Sequence, residues 1–95
     1  MKIHELKIKE EYMHEIWHNR KTFELRKNDR DFQQGDIVHF NVIFKNKTEP
    51  RPDSDIYVIT YVLKDVPEYG LADGYCIFGI RRLVQREFSS GSYSL

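Results

Sequence analysis

The chain has 95 residues, with 15 Lys+Arg against 15 Asp+Glu, so its formal net charge is zero with neutral histidines. That length supports one hydrophobic core and not two ordinary domains, and balanced charge gives no compositional nucleic-acid signature, although it leaves a segregated basic face open. One cysteine, Cys76, excludes an internal disulfide framework and a Cys-rich zinc module; with no apolar leader and no run of membrane-span length, a cytoplasmic protein with no membrane association is expected.

Residues 3–8 alternate as a strand, with His4, Leu6 and Ile8 on one face and Glu5 and Lys7 on the other. From about Glu10 to Asn19 the period becomes helical, placing Tyr12, Met13, Ile16 and Trp17 on one side. The acidic start and the basic end suit the helix dipole. Residues 21–27 read as a second strand with Phe23 and Leu25 toward the core and Thr22, Glu24 and Arg26 on the opposite face. Residues 27–31 are a polar loop that Phe32 anchors.

Gly35-Asp36 turns the chain into a strand over 37–44, with Val38, Phe40, Val42 and Phe44 inward. Residues 45–54, with Pro50 and Pro52, read as a polar connection and hairpin tip. Residues 56–63 form a strand apolar on both faces: Ile56, Val58 and Val62 on one, Tyr57, Ile59, Tyr61 and Leu63 on the other. An irregular loop over 65–74 carries Glu68, Tyr69 and Asp73, and 75–83 is the last strand. Five strands with a helix between the first two predict an α+β, mainly-β fold: a small mixed β-barrel capped by the helix. One domain over 1–86 and a flexible tail over 87–95 are expected.

The chemistry concentrates between Asn19 and Arg30. Side chains two apart on a strand lie roughly 7 Å from one another, so Thr22, Glu24 and Arg26 reach one small ligand, and Lys21 curls over the same opening. A carboxylate beside a lysine can act as a base or hold a nucleobase edge. The same pattern also describes an ordinary solvated strand face, and the residues alone leave both open. Arg30, with Lys27, is a candidate phosphate contact through its planar donor fork, and Arg81, Arg82 and Arg86 form a second basic cluster. Tyr69 and Tyr75 are candidates for stacking on a base, and Glu68 and Asp73 for a second carboxylate. His4 reads as a hydrogen-bonded internal histidine. His14, His18 and His39 lack metal-ligand spacing, and Cys76 reads as a buried, inert thiol. No P-loop, dinucleotide fingerprint or Ser/His/Asp order is present, and no cofactor or metal is expected.

The opening Ile3-His4-Glu5-Leu6-Lys7, the dense stretch from Lys21 to Asp36, and the segments Tyr61-Val62-Leu63, Glu68-Tyr69-Gly70-Leu71 and Gly74-Tyr75-Cys76-Ile77 resemble the DUF3850 family of small bacterial and phage proteins. That family is similar to the ASCH group of the PUA-like superfamily. The group carries a Gly-x-Lys-x-x-Glu-x-Arg pattern lining a cleft between helix and barrel. Lys21, Glu24 and Arg26 stand at its Lys, Glu and Arg positions, and Asn19 stands at the glycine; Asn tolerates left-handed backbone better than most residues. The resemblance implies a PUA-like barrel that binds RNA or a nucleotide-like ligand in this cleft. Some relatives deacylate modified cytidines with a lysine, a threonine three residues later and a distant glutamate. Lys21 matches the first, Glu24 replaces the threonine, and Glu68 is the candidate for the third.

The leading expectation is an RNA- or nucleotide-binding module, with Glu24 reading an N–H edge and Lys21, Arg26 and Arg30 holding oxygens. Two alternatives remain: an amidohydrolase for acylated nucleosides, with Lys21 as catalytic base and Glu24 as proton carrier, or an accessory protein acting through a protein partner.

Overall fold

The computed structural model describes residues 1–84. Strand β1 (Ile3–Lys9) runs directly into helix α1 (Glu10–Trp17), followed by β2 (Phe23–Lys27), β3 (Ile37–Ile43), β4 (Arg51–Lys64), a 3-10 turn (Pro67–Tyr69) and β5 (Tyr75–Leu83). The strands form one sheet in the order β1-β3-β4-β5-β2. The β1–β3 pair is parallel and the other pairs are antiparallel. This is the mixed, mainly-β fold expected, with one helix between the first two strands and a curled, barrel-like sheet. The expected tail, and Arg86 with it, lies outside the described residues. No helix among the described residues is long and apolar enough to cross a membrane.

The core follows from period-two alternation. Leu6 and Ile8 of β1, Val38, Phe40 and Val42 of β3, Tyr57 and Ile59 of β4, and Cys76, Phe78 and Ile80 of β5 meet Met13 and Ile16 of the helix. Phe32 anchors its loop as expected, with its ring 4.8 Å from that of Phe78 and 4.7 Å from that of His4. An eight-residue helix is too short to be stable alone, so Met13 and Ile16, both buried, tie it to the sheet.

Helix α1 ends two residues earlier than its periodicity suggests. Asn19 takes a left-handed backbone, φ 59°. Its N–H donates to the Ile16 carbonyl at 3.0 Å, and the Arg20 N–H donates to the Glu15 carbonyl at 2.9 Å. These are the two bonds of a Schellman cap, which turns the chain sharply enough to aim Lys21 back at β2.

Three expectations are corrected. First, β2 has the opposite phase: Phe23 and Leu25 are 47% and 57% exposed, whereas Glu24 is only 4% exposed. Register explains it. Glu24 pairs with Phe78 and Arg26 with Cys76, and paired residues share a face, so the inward set of β5 draws Glu24 and Arg26 inward. Second, β4 starts at Arg51, inside the expected connection. Its ladder with β5 begins only at Ile56 opposite Leu83, so Arg51 and Pro52 have a ladder partner on the β3 side alone. An edge of that kind tolerates Pro52, which has no N–H to donate.

Third, a register shift between Ile59 and Tyr61 reverses the alternation within β4. Tyr57 and Ile59 point into the core, but beyond the shift Val62 packs against it while Tyr61 and Leu63 are exposed. A bulge inserts one extra residue and so moves every later side chain to the other face.

Candidate functional site

The strand order leaves β1 and β2 as the two edges of the sheet, and the curl brings them face to face without a ladder between them. Side chains span the gap instead. Arg26 donates from Nη2 to the Lys7 carbonyl, and Arg30 donates from Nη1 to the Glu5 carbonyl, each at 2.8 Å. The helix and the turn after it close one end of this seam. What remains is a cleft of about 470 Å³ lined by Lys7, Ile8, Lys9, Tyr12, Lys21, Phe23, Glu24, Leu25 and Arg26.

Glu24 organises the polar part of the cleft. One carboxylate oxygen accepts from Lys21 Nζ, and the other accepts from Arg26 Nε at 2.8 Å. Lys21 Nζ also donates to the Phe23 carbonyl at 2.7 Å, and it lies 5.2 Å from the Phe23 ring centroid and 5.9 Å from that of Tyr12. The Glu24 side chain is nearly buried, whereas Lys21 and Arg26 keep 17% and 25% of their side-chain surface. A buried carboxylate needs compensation, and two cations supply it while still presenting surface to the cleft. Four cations among the lining residues stand against one carboxylate, in a chain with no net charge.

Lys21, Glu24 and Arg26 are therefore brought together. The remaining candidates fall elsewhere. Thr22 lines a neighbouring recess. Arg30 stitches the seam through the Glu5 carbonyl. Tyr69, 83% exposed, and Glu68 belong to the 3-10 turn, and Tyr75 sits opposite Lys27 at the far end of β2; none of these three lines the cleft. Tyr12 and Phe23 hold the rim instead, and Lys7 and Lys9 contribute charge from β1. Only Lys7 and Lys9 left a sequence signal, as the outward-facing cations of an alternating strand; that β1 lies across from β2 depends on how the sheet curls.

Two other titratable clusters are structural. Asp36 pairs with His4 Nε2 at 2.9 Å, and both are buried, so the internal histidine is satisfied as expected. Burial works to raise the Asp36 carboxyl, but His4 and the backbone N–H groups of Lys2 and Gln33 outweigh it and hold its pKa below the ordinary value. His39 bridges the Glu5 carboxylate through Nδ1 and the Asp53 carbonyl through Nε2, both at 2.8 Å. Burial alone would lower its pKa, yet acceptors at both ring nitrogens favour the imidazolium and raise it. Cys76 is buried, and burial pushes its thiol up, away from the reactive thiolate. Among the described residues no three His, Cys, Asp or Glu side chains converge as a metal-binding group.

No curated protein matches this sequence. The family model described as a domain of unknown function, DUF3850, matches residues 3–80, and the chain therefore belongs to the DUF3850 family.

Proposed function

We propose that this protein binds RNA or a nucleotide-like ligand in the cleft between β1 and β2. The observation that carries the reading is the convergence of Lys21, Glu24 and Arg26 in one opening with Tyr12 and Phe23 at its rim. Aromatic faces beside cations are what unstacked bases and their phosphates require, and a carboxylate can accept from an amino or ring N–H edge. A volume of about 470 Å³ falls within the ordinary range for small-molecule sites. The resemblance of residues 19–26 to the cleft pattern of ASCH and PUA-like domains supports the same assignment.

Binding is favoured over hydrolysis. Lys21 Nζ donates both to the Glu24 carboxylate and to the Phe23 carbonyl, and Arg26 holds the other Glu24 oxygen, so both groups the hydrolytic reading needs are engaged with the cleft wall. Glu24 also stands where the deacylating relatives carry a hydroxyl.

The test measures binding of a fluorescently labelled single-stranded RNA 12-mer by anisotropy, for the wild type and for Lys21→Ala and Arg26→Ala. Each loss of a charged contact is expected to weaken binding by about tenfold, with circular dichroism unchanged. Unchanged affinity in both variants refutes the assignment.

A further inference from the structure

Two departures of the sheet from its local pattern turn apolar side chains outward on the same face. The reversed phase of β2 exposes Phe23 and Leu25, and the register shift in β4 exposes Tyr61 and Leu63. Strand β5 lies between them. Its Gly79 pairs with Phe23 on one side and Tyr61 on the other, and its Ile77 pairs with Leu25 and Leu63 in the same way. Paired residues share a face, so these side chains form two adjoining rows, which Tyr75 extends two residues further along β5. The cleft accounts for Phe23 and Leu25 alone, and nothing so far gives the rest of the face a role.

The face suits flat rings. Phe23 and Tyr61 stand two strand spacings apart, about 10 Å, with no side chain on Gly79 between them. The Thr60 hydroxyl occupies that position instead, since its Oγ1 lies 2.6 Å from where a Gly79 Cβ would be, and it offers both a donor and an acceptor. Tyr75 adds a third ring at the other end, beside Lys27. Lys27 is the one charge in these rows and no carboxylate shares them, so the rows set no negative charge against a polyanion. Their size argues against a second copy of the chain. Five of the side chains are 38–63% exposed, which amounts to roughly 500 Å² at about 200 Å² for each large side chain. A stable interface buries about 800 Å² per partner. Continuity points instead to the ligand of the cleft, because Phe23 and Leu25 belong to both surfaces.

We propose that the outer face of β2, β5 and β4 is a stacking platform for single-stranded RNA, so that the protein takes a strand and not a lone nucleotide. One base enters the cleft, and the nucleotides beside it cross β2 at Phe23 and stack on Tyr61 and Tyr75. This rests on the base-binding assignment of the cleft and names the class of its ligand. Stacking on aromatic side chains tolerates any sequence because every base has a π-face, and an open sheet can hold two or three bases on its aromatics in this way. Leu25, Leu63 and Ile77 supply the apolar floor between the rings.

Isothermal titration with a mixed-sequence single-stranded RNA 12-mer and with the four ribonucleoside 5′-monophosphates tests it, using the wild type, Lys21→Ala, Tyr61→Ala, Tyr61→Trp and Tyr75→Ala. Tyr61 and Tyr75 are exposed, so these substitutions leave the core intact, which a far-UV spectrum checks. Tyr61→Ala and Tyr75→Ala are each expected to weaken binding of the 12-mer about tenfold and to leave monophosphate affinity unchanged, whereas Lys21→Ala weakens both. Tyr61→Trp, which keeps a stacking ring without the hydroxyl, is expected to retain the affinity of the wild type. Loss of 12-mer affinity in Lys21→Ala but in neither tyrosine-to-alanine variant overturns the platform and leaves the cleft standing. A wild type that sediments as a dimer and becomes a monomer on Tyr61→Asp shows an interface between copies and also overturns the platform. No binding of the 12-mer or of any monophosphate by the wild type overturns both assignments.

Discussion

Glu24→Gln tests whether one carboxylate holds the cleft together. The side chain is 6% exposed, and each of its oxygens accepts from a different cation. Glutamine keeps one acceptor oxygen but turns an NH2 group toward the second cation, so one charge-assisted bond is lost and the other becomes charge-neutral. Hydrogen bonds to charged groups contribute about 1.5–3 kcal/mol each, and breaking a fully buried pair costs about 3–5 kcal/mol. Lys21 and Arg26 keep enough surface for water to soften their repulsion, which places the loss near the low end, about 2 kcal/mol. For a domain of this size, that lowers Tm by roughly 8–16 °C. Lys21→Met leaves Glu24 paired with Arg26 and costs about 1 kcal/mol. Because both substitutions act on one ion pair, the double variant should lose less than the sum of the two singles. Thermal and urea unfolding followed by circular dichroism measure all three. A Glu24→Gln protein as stable as the wild type, or strict additivity with Lys21→Met, refutes the organising role of the carboxylate.

Two other substitutions probe the scaffold. His39 has a raised pKa in the fold, so its contribution is complete below the unfolded value of about 6.5 and fades as pH climbs through the folded value. The Tm difference between wild type and His39→Gln should therefore shrink between pH 6 and pH 9, and a difference independent of pH in that window contradicts the Glu5–His39–Asp53 bridge. Gly79→Ala brings a Cβ to 2.6 Å from Thr60 Oγ1, which costs about 1–3 kcal/mol. Adding Thr60→Ala, which removes the clashing atom, should recover most of that in urea unfolding, whereas two additive losses would contradict the contact.

Much of the scaffold was legible because its alternation is unbroken. The inward sets of β1 and β3, the span of β5, the role of Phe32 and the satisfied His4 follow from apolar residues at period two and one internal polar group. The phase of β2 did not. Phe23 and Leu25 are the apolar members of their strand, and local hydrophobicity turns them inward; the pairing with β5 turns them outward because Phe78 and Cys76 already set the inner face. Burying Glu24 breaks the usual rule at the point where the interior opens into the cleft, where Lys21 and Arg26 compensate its charge. The shift in β4 was equally hidden, since a bulge leaves no trace in a strand apolar on both faces. Within the site, Lys21, Glu24 and Arg26 were legible as a cluster in sequence. Tyr12 was not, because helical spacing groups it with Met13 and Ile16 although it is 48% exposed at the cleft.

The seam between β1 and β2 makes the molecule a split ring and not a closed one. Strands joined by a ladder are held at a fixed spacing of about 4.8 Å, and a ladder opens only by breaking a row of bonds together. Here Arg26 and Arg30 act as two clasps, and neither bond belongs to a ladder. The gauge of the opening is thus set by the reach of arginine side chains. With both clasps released, the ring would part at this one seam, and the four other strand-to-strand joints would keep their bonds.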